Sequence, residues 1–202
     1  MGIANRKERE FKRREEDILQ AAYDLFSEKG IESVTIEMIA EKAEVGKGTI
    51  YKHFSSKNEI FGCLIIGQSK EVLEIFSKID QNAPLMVQIN QLLRLFWEFV
   101  TNDMRKYAVY RKCDHLLLTE NMSPEVLFEF TKANNRKNNK IRTLIQKGIK
   151  EQIFKDEPAD NLVSAAVGLF TGVYDLMLAG EVKPSEELYE LMVNMILKGF
   201  MR

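Results

Sequence analysis

Cysteine is nearly absent from this sequence. Cys63 and Cys113 stand fifty positions apart with no paired spacing, which excludes a disulfide framework or a zinc finger and predicts reduced thiols in a cytoplasmic protein. Proline is scarce too. The four present, Pro84, Pro124, Pro158 and Pro184, fall at the starts of helical patterns and not within them. No stretch sustains the period-two alternation of a half-buried strand. There is no internal repeat, Gly/Ser linker or low-complexity tail, apart from a short polar run, KANNRKNNK, at residues 132–140. The first sixteen residues are crowded with charge and lack the apolar centre of an export signal. Nor is there an excess of charge of one sign: the chain sums to −1.

What is present reads as a soluble helical protein. Hydrophobic residues make up 45% of the 202 residues and charged ones 29%, enough for one compact domain or a small domain joined to a larger one. One segment, LVSAAVGLFTGVYDLMLAG at 162–180, approaches the ~20 apolar residues needed to cross a bilayer. Ser164, Thr171, Asp175 and three glycines dilute it and no basic cluster flanks it. It is expected to be a helix buried in the protein or between subunits, with no membrane involved.

Apolar residues recur at helical spacing almost throughout. Ile18, Ala21, Ala22, Leu25 and Phe26 line one face of a first helix that stops at Gly30. Ile36, Ile39, Ala40 and Ala43 form a shorter one after Thr35, a suitable N-cap. Ile50 and Phe54 anchor a very short third, and Ser56 with Glu59 makes a capping box for a fourth running to about Ile79. Beyond Pro84 come a fifth helix on Leu85, Ile89, Leu92, Leu93, Phe96 and Val100, and a sixth over 107–118. A seventh runs from Ser123-Pro124 to about 153, its polar middle taken as a solvated face, and two more follow Pro158 and Pro184.

Gly46-Lys47-Gly48-Thr49 resembles a phosphate-holding loop. As a nucleotide site it fails: no glycine stands five residues before Gly46, Tyr51 occupies the position of a third glycine, and the preceding segment is helical. The alternative is a helix-turn-helix whose second helix offers its N-terminal residues to the major groove. Glu44-Val45-Gly46 breaks the pattern after Ala43, and Gly46 and Gly48 let the backbone approach a surface closely. From 45 to 58 the chain carries Lys47, Lys52, His53 and Lys57 with no carboxylate, although residues 1–60 hold eleven basic against twelve acidic residues overall. Residues 6–14 hold six basic side chains, forming either a flexible basic arm or a solvated charged end. Lys57 in a helix first turn opposes the macrodipole by about 0.3–1 kcal/mol, a cost a phosphate would reverse.

TIEMIAEKAEVGKGTIYKHFSSKNEIF, residues 35–61, resembles the DNA-binding segment of the TetR-type transcriptional regulators, T-x-x-x-I-A-x-x-A-G-V-S-x-G-T-x-Y-x-H-F-x-S-K-x-x-L. It matches at Thr35, Ile39, Ala40, Ala43, Val45, Gly48, Thr49, Tyr51, His53, Phe54, Ser56 and Lys57. Two departures are Glu44, where glycine is usual, and Gly46, where serine usually caps the recognition helix. The resemblance implies phosphate contacts from Thr35, Tyr51, His53 and Lys57. It implies base contacts from Lys47, Thr49 and Lys52, with Gly46 and Gly48 allowing close approach.

It further implies an all-α fold: a helix-turn-helix domain over 1–60 with a basic N-terminal arm, and an effector-binding and dimerisation domain over 61–202, about nine helices in all. The last two helices would pair with a second copy, setting recognition helices about 34–36 Å apart on a palindromic operator. A small-molecule effector, largely apolar, would sit among Phe96, Trp97, Val100, Met104, Tyr107, Tyr110, His115, Phe128, Phe170 and Tyr174. Asp175 is expected to be buried and to need a partner. Cys113, Asp114 and His115 are consecutive and spread over different helix faces, so no metal is expected; neither is a cofactor or a catalytic constellation. The alternative is a helical small-molecule-binding protein without specific DNA recognition.

Overall fold

The computed structural model describes the backbone of residues 2–119 and 122–202, and the side chains over the same ranges except at 2–5, 114 and 117–119. Among the described residues nine helices follow in order: α1 (Gly2–Lys29), α2 (Ile36–Lys42), α3 (Lys47–His53), α4 (Lys57–Ser77), α5 (Leu85–Thr101), α6 (Met104–Thr119), α7 (Pro124–Lys150), α8 (Ala159–Leu178) and α9 (Glu186–Phe200). Among the described residues there is no strand, only an isolated bridge between Phe154 and Met201. The expected all-α architecture is found.

Serine and threonine open four helices, Thr35, Ser56 and Ser123 at the expected positions and Ser185 as a cap that the sequence reading did not name. The Thr35 hydroxyl accepts from the Met38 amide at 3.3 Å, Ser56 from Glu59 at 3.2 Å, Ser123 from Val126 at 3.3 Å and Ser185 from Leu188 at 3.2 Å. Each such cap stabilises its helix by about 1 kcal/mol. The Glu59 carboxylate completes its box one residue early, accepting from the Ser55 amide at 2.6 Å.

α1 begins sixteen residues before its apolar stripe. The basic stretch 6–14 is therefore helical and exposed, not an extended arm. Pairs at helical spacing support it: Glu8 with Lys12 at 3.4 Å and Glu10 with Arg14 at 3.3 Å.

The chain divides into two compact units, Met1–Gln68 with Arg105–Lys132, and Ser69–Met104 with Ala133–Arg202. The first is built on Ile18, Ala22, Ile39, Ile50, Phe54, Ile60, Phe61 and Ile65, all buried. Phe26 meets Phe61 edge-on at 5.3 Å. α4 and α7 approach closely here: a Cβ on Gly62 would stand 2.1 Å from Val126 Cγ1, so only glycine fits.

In the second unit, Val72, Ile75, Phe76 and Ile79 of α4 pack with Leu92 of α5. Trp97 lies 5.9 Å from Tyr174 and 5.5 Å from Tyr189, joining α5 to α8 and α9. Arg94 lies 3.7 Å above the Tyr189 ring and makes a two-pronged bond to Glu186, one prong at 2.8 Å. That hydrogen bond pulls the Glu186 carboxyl below its ordinary range.

α8 is long and apolar enough to cross a membrane, yet only 22% of its most apolar window is buried within the chain. It packs against α9. The exposed stripe carries Ala165, Gly168, Gly172, Leu176 and Ala179, and Asp175 stands on it as well. The expectation of a buried Asp175 therefore fails for the single chain: at helical spacing it falls on the face opposite the buried Phe170, Tyr174 and Met177.

Candidate nucleic-acid interface and cavity

The turn between α2 and α3 is set by hydrogen bonds that close the end of α2. The Val45 amide donates to Ala40 O at 2.9 Å and the Glu44 amide to Glu41 O at 3.1 Å, a Schellman closure that needs a left-handed residue between them. Glu44 is that residue, with φ 54°. Gly46 then caps α3 in extended conformation with no side-chain bond, its carbonyl accepting from Thr49 at 2.7 Å. Ile50 and Phe54 are buried, so the opposite face of α3 is turned to solvent.

On that face Lys47, Gly48, Tyr51 and Lys52 are exposed, Thr49 half-buried. No neighbouring atom lies within 4 Å of a Cβ built on Gly46 or Gly48. Lys47 forms an ion pair with Glu37 in the first turn of α2 and lies 5.9 Å from the Tyr51 ring. The shared hydrogen bond lowers the Glu37 carboxyl and raises the Lys47 ammonium, each holding the other in its charged form. Glu37 was not read from the sequence as part of this surface. Its ten-residue separation from Lys47 has no local signal, because only the turn brings the two together.

His53 is half-buried beneath Phe11 of α1, ring centroids 4.0 Å apart, and its Nδ1 has no hydrogen-bond partner among the described residues. Phe11 also escaped the sequence reading, being one aromatic in a run of charge. Thr35 is exposed; its oxygen caps α2, and its hydroxyl donates to the Glu37 carboxylate, which helps to hold that carboxyl low. Lys57 is turned inward. Its ammonium donates to Ile31 O and Val34 O at 2.9 Å each and lies 5.7 Å from the Phe61 ring. Two of an ammonium's three donors are thus used, and these two carbonyls, without any bound anion, offset the opposition to the α4 dipole.

The ten residues proposed for an effector fall in both units. Phe96, Trp97, Val100, Met104, Phe170 and Tyr174 lie in the second, and Tyr107, Tyr110, His115 and Phe128 in the first. His115 and Phe128 are on the surface; Tyr107 and Tyr110 are buried on α6. The side chain of Asp114 lies outside the described residues. Within the second unit a cavity of about 140 Å³ is lined by Val72 and Phe76 of α4, Leu92, Leu93 and Phe96 of α5, Lys137, Asn138 and Ile141 of α7, and Ala166, Val167, Phe170 and Thr171 of α8. Phe96 and Phe170 are the two proposed residues on its wall. Trp97, Val100 and Tyr174 are buried without lining it. Lys137 and Asn138 come from the polar run read as a solvated face.

The sequence model for bacterial regulatory proteins, tetR family, matches residues 18–63, the segment from the α1 core through the start of α4. YdeS, an HTH-type transcriptional regulator of Bacillus subtilis, is 28% identical over 181 residues, covering 88% of this chain and 85% of that one. The HTH-type transcriptional repressor KstR2 of Mycobacterium tuberculosis is 22% identical over 149 residues, 73% of this chain and 72% of its own. In fold, a TetR family transcription regulator from Shewanella sp. PV-4 superposes with TM-score 0.73 at 19% identity, over 94% of this chain and 98% of that one. A buried-backed recognition helix after a Schellman turn lies inside the matched segment, so residues 18–63 are similar to the DNA-binding segment of the bacterial regulatory proteins of the tetR family, within a chain that shares the fold of a TetR family transcription regulator along its length.

Proposed function

We propose that this regulator is a cytoplasmic homodimeric repressor that holds a palindromic operator and releases it when a small, largely apolar effector enters the second unit. The observation that carries the DNA half is the outward face of α3, where Lys47, Tyr51 and Lys52 are exposed and glycine leaves room for close approach. In this reading Lys47, Thr49 and Lys52 contact base edges, while Thr35, Tyr51 and His53 contact phosphates. Lys57 contributes its remaining donor to a phosphate and otherwise fixes the turn before α2. Residues 1–60 serve DNA and residues 61–202 serve effector and partner.

α4 links the two tasks, since Lys57 begins it and the cavity residues Val72 and Phe76 lie on its later turns. An effector that favours a shifted α4 needs a coupling of only ~1–3 kcal/mol for about 5–150-fold release. Selection of bound fragments from genomic DNA should enrich an inverted repeat. Affinity for it should fall with salt by about 0.9 log units per log salt for each phosphate neutralised. Lys47→Ala should cost about 1–3 kcal/mol and relax the preference at the contacted base pair. Salt-independent binding, or no enriched repeat, refutes the proposal.

A further inference from the structure

Two chambers of the second unit meet at three side chains. The cavity of about 140 Å³ adjoins one of about 240 Å³, and Phe76 of α4, Leu92 of α5 and Ile141 of α7 line both. Phe76 and Leu92 are buried at this junction, Ile141 half-buried. Beyond it the walls stay apolar on either side: Ile79 and Leu144 line the larger chamber, Leu93 and Phe170 the smaller. The exposed polar residues stand at one end only, where Gln81, Lys140 and Thr143 line the larger chamber. Lys137, on the wall of the smaller, is already engaged within the chain, and what it lends to that wall is its methylene stem.

This layout selects length. A cavity of ~150 Å³ holds one benzene ring, so the smaller chamber admits about six carbons and the larger about ten. A compact ring fills one chamber and leaves the apolar wall of the other uncovered. A rigid fused-ring skeleton long enough for both would have to push Phe76, Leu92 and Ile141 aside together, which close packing resists. An unbranched chain is only one methylene thick and needs no more than the half-buried Ile141 to give way. Each methylene it buries tightens binding by up to about fourfold. Its polar head remains at the exposed Gln81, Lys140 and Thr143, within reach of water.

We infer that the effector is a single-chain amphiphile, an unbranched hydrocarbon chain of roughly twelve carbons or more that runs through both chambers with its polar head at the Lys140 end. This rests on the effector reading above and gives it a length and a direction. The test titrates hexanoate, decanoate and tetradecanoate into the full chain by calorimetry, each below its micellar concentration, with toluene as a ring that either chamber admits alone. Tetradecanoate should bind about tenfold or more tightly than decanoate, and decanoate than hexanoate. Ala166→Phe puts a ring into the smaller chamber alone. It should remove the advantage of tetradecanoate over decanoate and leave decanoate within about twofold. Thr143→Trp obstructs the larger chamber from an exposed position that the fold tolerates, and should weaken tetradecanoate about tenfold or more. Equal affinities for decanoate and tetradecanoate, an advantage that survives Ala166→Phe, or tetradecanoate binding unmoved by Thr143→Trp overturns the inference. Toluene binding in that event leaves the effector site standing. Binding of neither toluene nor any alkanoate removes the effector site as well.

Discussion

Glu44 carries a backbone conformation that its side chain disfavours. Glycine ends α1 at Gly30, φ 79°, and α8 at Gly180, φ 77°, whereas α2 ends on Glu44, φ 54°, and α7 is followed by Gln152, φ 58°. A side-chain-bearing residue in the left-handed region costs about 1–2 kcal/mol, most of which glycine escapes. Glu44→Gly should therefore stabilise the fold by about 1 kcal/mol, a rise of roughly 2–4 °C in melting temperature for a chain of this size. Glu44→Gln keeps the strain and removes the charge, so it should leave the melting temperature unchanged while strengthening DNA binding at low salt. Calorimetry of both variants with operator titrations separates backbone from charge. Equal melting temperatures for Glu44→Gly and the parent would show that the strain is relieved elsewhere.

At the scale of the element, α4 and α7 touch through Gly62 and Val126, the latter's Cγ1 lying 2.1 Å from where a Cβ would be. Gly62→Ala should destabilise by about 1–3 kcal/mol, as overpacking does. Val126→Ala in the same chain should recover most of that loss, and denaturant midpoints of the two single variants and the double variant measure the coupling. Additive effects would mean that the helices do not meet there. Such contacts mark the limit of what the sequence disclosed. The helices themselves were legible, because apolar spacing and the hydroxyl caps Thr35, Ser56 and Ser123 act within a few residues. The recognition segment was legible because its anchors Ile50 and Phe54 and its exposed Lys47, Tyr51 and Lys52 sit on one short helix. Three features were not. The α1 extension has charge pairs but no apolar stripe; Lys57 meets carbonyls 26 and 23 residues away; and Lys137 joins the cavity only when α4, α5, α7 and α8 pack. The last two depend on tertiary neighbours that no local pattern encodes, and the first rests on i,i+4 charge pairs that apolar spacing does not register.

For the whole molecule, the surface that bears on assembly is the outer face of α8 and α9. Leu176 on α8 and Leu191 and Met195 on α9 are exposed, the last two at 57% and 56%. Small residues occupy the remainder of the α8 stripe, with open space at Gly168 and Gly172. Apolar side chains beside glycine and alanine let a second helix pair approach closely, which is the composition of a two-fold helix interface. A palindromic operator requires that pairing, since one recognition helix reads only half of it. Leu191→Glu with Met195→Glu sets like charges against each other across the two-fold axis without touching the buried side of α9. The variant should remain helical by circular dichroism, sediment as a monomer, and lose operator affinity by more than the loss from Lys47→Ala. A variant that remains a dimer in sedimentation would place the subunit contact on another face. One that becomes a monomer yet binds the full operator as tightly as the parent would break the link between pairing and recognition.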